Sequence, residues 1–157
     1  MPRRKKDEEI IELPTAPDWL AHSLFALNLA WLLNLDPQQM AIAVAFALLP
    51  DLDVFLGHRV VLHNLFAVIG IPLLVSAAIP QVPLRAALLG SLSHIALDML
   101  SPTGVALLWP VSNTMLSIPL INLFIRSGVR TLIFVLIIIL LTNYTLFLSL
   151  IPSLGVH

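Results

Sequence analysis

Three aspartates and four histidines stand in sequence otherwise made for lipid. Asp51, Asp53 and Asp98 are embedded among apolar residues, and His22, His58, His63 and His94 lie in or beside the same segments. Imidazole nitrogens and carboxylate oxygens together form a ligand set suited to Zn²⁺, Mn²⁺ or Fe²⁺ rather than Ca²⁺ or Mg²⁺. His94 and Asp98 are four residues apart, so on a helix both project from one face and can reach one ion or two adjacent ions. Asp51 and Asp53, two apart after Pro50, cannot share a helix face but can flank an ion from a turn. His58 and His63 straddle a loop-to-helix junction and approach from different directions. More than four candidate ligands allow one ion, or two ions about 3.5–4 Å apart. Each residue also has a plainer structural reading: His22 as an interhelical hydrogen-bonding group, Asp51 and Asp53 as caps, His94 and Asp98 as a buried pair, Arg59 as a topology-setting charge. The set as a whole points to a metal site.

Composition says where such a site must sit. Of 157 residues, 59% are hydrophobic and only 17 are charged. Nine of those charges (Arg3, Arg4, Lys5, Lys6, Asp7, Glu8, Glu9, Glu12 and Asp18) fall in the first 18 residues, leaving eight for the other 139. A soluble domain carries about 25% charged residues, so no ordinary water-facing surface can be assembled here. The sequence predicts an integral membrane protein. Within membrane segments each ionisable group costs at least ~2.5–3.5 kcal/mol on insertion scales, which makes the three aspartates embedded in apolar sequence functional candidates. The net charge of −1, without a basic stripe beyond the N-terminal tail, gives no footprint for nucleic acid. Cysteine is absent, which excludes disulfides and thiolate sites.

The elements that must position these residues follow from proline, glycine and capping signals. Residues 1–17 read as a retained polar, cytoplasmic tail and 18–157 as a single membrane-embedded helical domain. Pro17 and Asp18 open a first helix over Trp19–Leu35. Asp36 as N-cap and Pro37 as first residue start a second helix that runs to Leu49. Pro50 disfavours helical geometry at Leu49, placing Pro50–Asp53 in a turn or re-entrant segment at a membrane face. A third helix covers Val60–Ile79, putting His63 one turn inside it. A fourth runs Leu84–Leu100, where Ala86, Ala87, Gly90 and Ser93 let neighbours approach closely. Val105–Phe124, broken by Pro110 and Pro119, reads as a re-entrant or interfacial piece, and Thr131–Ile151 as the last span. The fold class is thus an all-α polytopic bundle of four or five membrane helices. Counting Lys and Arg in short loops puts seven of eight inside if the N-terminus is cytoplasmic, with only Arg85 outside and the C-terminus on the outer side. Under that topology the candidate ligands share one depth, at the cytoplasmic face. Trp19 and Trp109 read as interfacial anchors.

The run from Gly90 through His94, Asp98, Pro102 and Gly104 to Trp109-Pro110 resembles the signature block of the YdjM-like family of membrane-bound metal-dependent hydrolases. The blocks Ala21-His22, Pro50-Asp51-Leu52-Asp53 and His58-Arg59-Val-Val-Leu-His63-Asn64 fall in the order that family shows, so the resemblance spans about residues 20–125. It implies a helical inner-membrane protein with a divalent metal site and, position by position, His22, Asp51, Asp53, His58, His63, His94 and Asp98 as its metal or catalytic residues. The chain departs from the family pattern where Val54 replaces a histidine, where Val60, Leu62 and Asn64 replace a glycine, a threonine and a serine, and in having no acidic residue near Arg126–Arg130.

The expectation is a hydrolase at the cytoplasmic membrane interface, with Zn²⁺ first and Mn²⁺ or Fe²⁺ as alternatives. His63, His94, Asp98 and one of Asp51 and Asp53 hold the metal, the other aspartate serves as general base, and His22 completes the site or orients a ligand; His58 is a ligand or the acid, and Arg59 a clamp for a substrate phosphate. Its partners are membrane lipids, with a lipid or lipid-linked ester or phosphoester as substrate. A metal-ion or proton transporter using the same residues, or a non-catalytic membrane scaffold, are the competing functions. Transport calls for stations on both sides of the membrane or a midplane site at a repeat interface, and the outer half offers little beyond Arg85 and Asn34.

Overall fold

The computed structural model describes residues 16–55, 61–101, 104–118 and 128–150. These form five α-helices, α1 (Ala16–Leu32), α2 (Pro37–Leu48), α3 (Leu65–Ala78), α4 (Leu84–Met99) and α5 (Gly128–Leu150), with a short 3-10 helix at Pro50–Phe55 and no strand among the described residues. The all-α class is therefore as expected. The predicted crossing of a bilayer by four or five helices is not matched by helix length, because no helix among the described residues is long and apolar enough to cross a membrane. For α1 to α4, which have 12 to 17 residues, caps and prolines cut the apolar runs below the roughly 20 residues a full crossing needs.

Local chemistry explains each boundary. α1 ends three residues before the expected Leu35, because Asn34 adopts a left-handed conformation (φ 54°). Its N–H donates to Trp31 O and that of Leu35 to Ala30 O, both at 3.0 Å, the paired bonds of a Schellman motif. Asp36 caps α2 as predicted, accepting from Gln39 N–H at 2.9 Å, with Pro37 as first residue. Leu49 departs from expectation. It keeps right-handed helical geometry (φ −62°, ψ −40°) ahead of Pro50, and Leu52 N–H donates back to Leu49 O at 3.1 Å, so the chain tightens into 3-10 turns instead of breaking.

α3 starts five residues later than its apolar run suggests. Asn64 is extended (φ −128°, ψ 161°) and its side chain accepts from Ala67 N–H at 2.9 Å, a cap that leaves His63 just before the helix instead of one turn inside. Asn is as good a cap as the serine it replaces. Asn64→Ala is expected to cost about 1 kcal/mol of stability, read as a lowered denaturation midpoint.

α4 lies at the centre, packed against α2, α3 and α1, while α1 also carries α5. The α2–α4 contact is the most extensive, with fully buried Ala43 and Ala86 in one core cluster and Gly90 against the main chain of Ala43 and Ala47. α1 and α5 are joined by Asn28, whose Nδ2 donates to Thr142 Oγ1 (3.4 Å) and whose Oδ1 accepts from Asn143 Nδ2 (3.3 Å). Residues 104–118 are irregular, with one antiparallel bridge between Val105 and Leu116. Leu65 N–H donates to Leu107 O (2.9 Å) and Ile118 N–H to Met99 O (2.7 Å), which ties this segment to the start of α3 and the end of α4.

Candidate metal centre

Four elements deliver ionisable side chains to one buried point. α4 supplies His94 and Asp98, the 3-10 helix Asp51, the residue before the α3 cap His63, and α1 His22. All are at most 6% exposed, and His63 and His94 are fully buried. Burying so many polar groups is tolerable only if each is partnered or shares a cation.

Hydrogen bonds fix the tautomers. His94 Nδ1 lies 2.6 Å from Ala47 O, and a carbonyl can only accept, so Nδ1 carries the hydrogen. His63 Nδ1 donates to Asp53 Oδ2 at 3.0 Å, the same oxygen that accepts from Leu62 N–H. With Nδ1 so committed, each ring has only Nε2 left to offer a metal ion, and these two atoms are 3.0 Å apart. Two lone pairs at that separation repel unless a proton or a metal ion lies between them. The carboxylates gather at the same point: Asp98 Oδ2 is 3.3 Å from His63 Nε2 and 3.4 Å from His94 Nε2, and Asp51 Oδ1 is 3.6 Å from each.

These separations bear directly on which group fits. A tetrahedron with metal–ligand bonds of about 2.0–2.1 Å has edges of about 3.3–3.4 Å, and the five separations run from 3.0 to 3.6 Å. Two nitrogens and two oxygens at that spacing suit Zn²⁺. Each histidine also has the outer partner that zinc-binding imidazoles require, a carbonyl for one and a carboxylate for the other. Two buried atoms have no hydrogen-bond partner among the described residues of this cluster, His22 Nδ1 and Asp51 Oδ2.

Electrostatics favours positive charge at the same point. Burial works to lower the His63 pKa, but its polar contacts with Asp51, Asp53 and Asp98 prevail and push it up to about 11. Burial likewise works to raise that of Asp51, and His63, with His94 and His22 nearby, holds it below the usual carboxylate value.

A family model described as YdjM inner membrane protein matches residues 18–154. The chain belongs to the YdjM family. Two proteins named Inner membrane protein YdjM, from Escherichia coli (strain K12) and Shigella flexneri, are each 43% identical to it over 60 residues, 34% of this chain and 31% of theirs. The chain thus spans about a third of the length of the curated relatives it matches. No solved structure matches it.

The YdjM match encloses every residue of the cluster. Of the residues singled out in the sequence, the structure brings together His22, His94 and Asp98, and Asp51, His63 and His94, as two overlapping triads within ligand reach. Asp53 belongs to neither triad and instead faces the outer nitrogen of His63. His58 and Arg59 lie outside the described residues. In this YdjM chain the Ala47 carbonyl that orients His94 had no signal in the sequence, because main-chain acceptors are present at every residue. Asp53→Ala is expected to weaken metal binding by about 10–100-fold, the usual consequence of losing an outer partner, in a chelator competition.

Proposed function

We propose that this YdjM-family protein is a metal-dependent hydrolase of the inner membrane, acting on an ester or phosphoester of a membrane lipid or lipid-linked molecule. The observation that supports this reading is the convergence of two imidazole nitrogens 3.0 Å apart and two carboxylate oxygens, each 3.3–3.6 Å from both nitrogens. Asp51, His63, His94 and Asp98 would hold the ion. Zn²⁺ bound there supplies Lewis acidity and lowers the pKa of water to about 7.

The chain's own groups account for the rest. Asp53 keeps the His63 ring in the tautomer that exposes Nε2, and Ala47 O does the same for His94. Asp51 uses Oδ1 toward the histidines, while its buried Oδ2 is without a partner and can take the proton of the attacking water. Near-complete burial keeps bulk water away and strengthens each of these interactions. The orientation that supports a lipid substrate is the one with the N-terminus cytoplasmic and the site at the cytoplasmic headgroup level.

The test uses the full chain purified in detergent. Stoichiometric zinc, manganese or iron by elemental mass spectrometry, with chelator-sensitive hydrolysis of bis(p-nitrophenyl) phosphate or a p-nitrophenyl ester restored by that metal, is the expected result. Protein that binds no metal under zinc saturation ends the proposal. Metal uptake into sealed vesicles without turnover would point to transport instead.

A further inference from the structure

The two triads share His94, so they cannot both be filled. His94 has one nitrogen to give, because Nδ1 is committed to Ala47 O at 2.6 Å. Ring orientation decides which triad receives it. An imidazole binds an ion along its in-plane lone pair at about 2.0–2.1 Å, so the ion lies in the plane of every histidine that holds it. His63 and His94 stand edge to face, with planes 65° apart and centroids 4.9 Å apart, and planes so inclined meet close to both rings. His22 and His94 are stacked, with planes only 16° apart and centroids 3.8 Å apart. Planes tilted so little meet on the order of 10 Å away, several times the distance at which a histidine nitrogen binds zinc.

His22 therefore cannot share an ion with His94. The Asp98 carboxylate divides in the same way: Oδ2 faces His63 and His94 at 3.3 and 3.4 Å, whereas Oδ1 faces His22 Nε2 at 3.6 Å. Deprived of His94, the second triad keeps, among the described residues, only His22 and Asp98, short of the three protein ligands found even in open catalytic zinc sites.

Resting on the metal centre proposed above, we propose that the site holds one ion, bound by Asp51, His63, His94 and Asp98, and that His22 is a positioning residue outside its coordination shell. His22 steers the outer oxygen of Asp98 and covers one face of the His94 ring. It thereby sets the direction of two ligands without donating a bond to the metal.

Metal stoichiometry and spectroscopy test this without reference to turnover. Wild-type protein equilibrated with Zn²⁺ and desalted should carry one ion per chain. His22→Ala should still carry one, with affinity weakened about 10–100-fold in chelator competition, as for other outer-partner losses. The Co²⁺-substituted absorption bands, which report the ligands themselves, should keep their positions. His22→Asn, which retains a side-chain N–H for Asp98, should recover most of the affinity. Should alanine unfold the chain, His22→Phe keeps the stack on His94, offers no nitrogen and carries the same stoichiometry and spectral test. Two ions in the wild type with one lost on substitution, or shifted Co²⁺ bands in the variant, overturn the assignment of His22. A wild type that binds no metal overturns the metal centre itself, and the two failures are distinct.

Discussion

His94→Ala is expected to weaken zinc binding on the order of 100- to 1,000-fold. His94 is the only residue common to both triads, and its Nε2 lies within 3.6 Å of His63 Nε2, Asp98 Oδ2 and Asp51 Oδ1. If four ligands share a structural-type zinc binding energy of about 10–16 kcal/mol, losing one removes roughly a quarter, a weakening on the order of 100- to 1,000-fold. Truncation also removes the donor that Ala47 O faces and withdraws an imidazole from beside two buried carboxylates. Removing one partner from a buried charged network costs about 3–5 kcal/mol, so the variant should melt earlier as well. Chelator competition for zinc, with circular dichroism to confirm that the chain is folded, separates the two effects. A folded His94→Ala protein that keeps the wild-type zinc affinity in chelator competition would show that the ion is held elsewhere.

The second large effect is expected at a residue that touches no ligand. A Cβ built on Gly90 would lie 2.0 Å from Ala43 O and 2.9 Å from Ala47 N, both main-chain atoms of α2. No side-chain rotation can relieve that clash, so α2 must move away from α4. Gly→Ala in a helix interior gains about 0.8–1.0 kcal/mol of propensity, against an overpacking cost of about 1–3 kcal/mol or more, and the backbone contact puts this site at the high end. Gly90→Ala should therefore lower the melting temperature. It should also weaken metal binding by about tenfold or more, because the turn of α2 pushed aside carries the carbonyl that orients His94, and lost outer partners cost that much. Denaturation curves and chelator competition measure both. Unchanged zinc affinity in a folded Gly90→Ala protein would show that Ala47 O and His94 are not coupled through this contact.

Much of the site was legible because charge is so scarce in this chain. Eight ionisable residues of the DEKR type in 139 left Asp51, Asp53 and Asp98 conspicuous, and the spacing of His94 and Asp98 placed both on one helix face. The small residues of α4 announced a close helix contact without naming its partner, which the structure shows to be α2, and Asp36-Pro37 announced the start of α2. What stayed hidden depends on direction and not on identity. Apolar periodicity ran straight through His63 into α3, and only the Asn64 cap, three residues before the N–H it accepts, shows that His63 belongs to the loop. Asp51 and Asp53 look equivalent in sequence, yet on the tight 3-10 helix one faces the two Nε2 atoms and the other the far side of a histidine. The tilt of a ring plane, which separates His22 from the ligands, leaves no trace in spacing at all.

The two histidines at the heart of the cluster are oriented by partners of different kinds, a side-chain carboxylate for His63 and a main-chain carbonyl for His94. That difference governs how each can change over generations. A single codon at position 53 can strengthen, weaken or remove the hold on His63, so that ring's electron richness is open to gradual adjustment. No codon at position 47 removes a carbonyl. The hold on His94 can be altered only by displacing a whole helix, and one half of the centre is thereby inherited with the fold while the other remains adjustable.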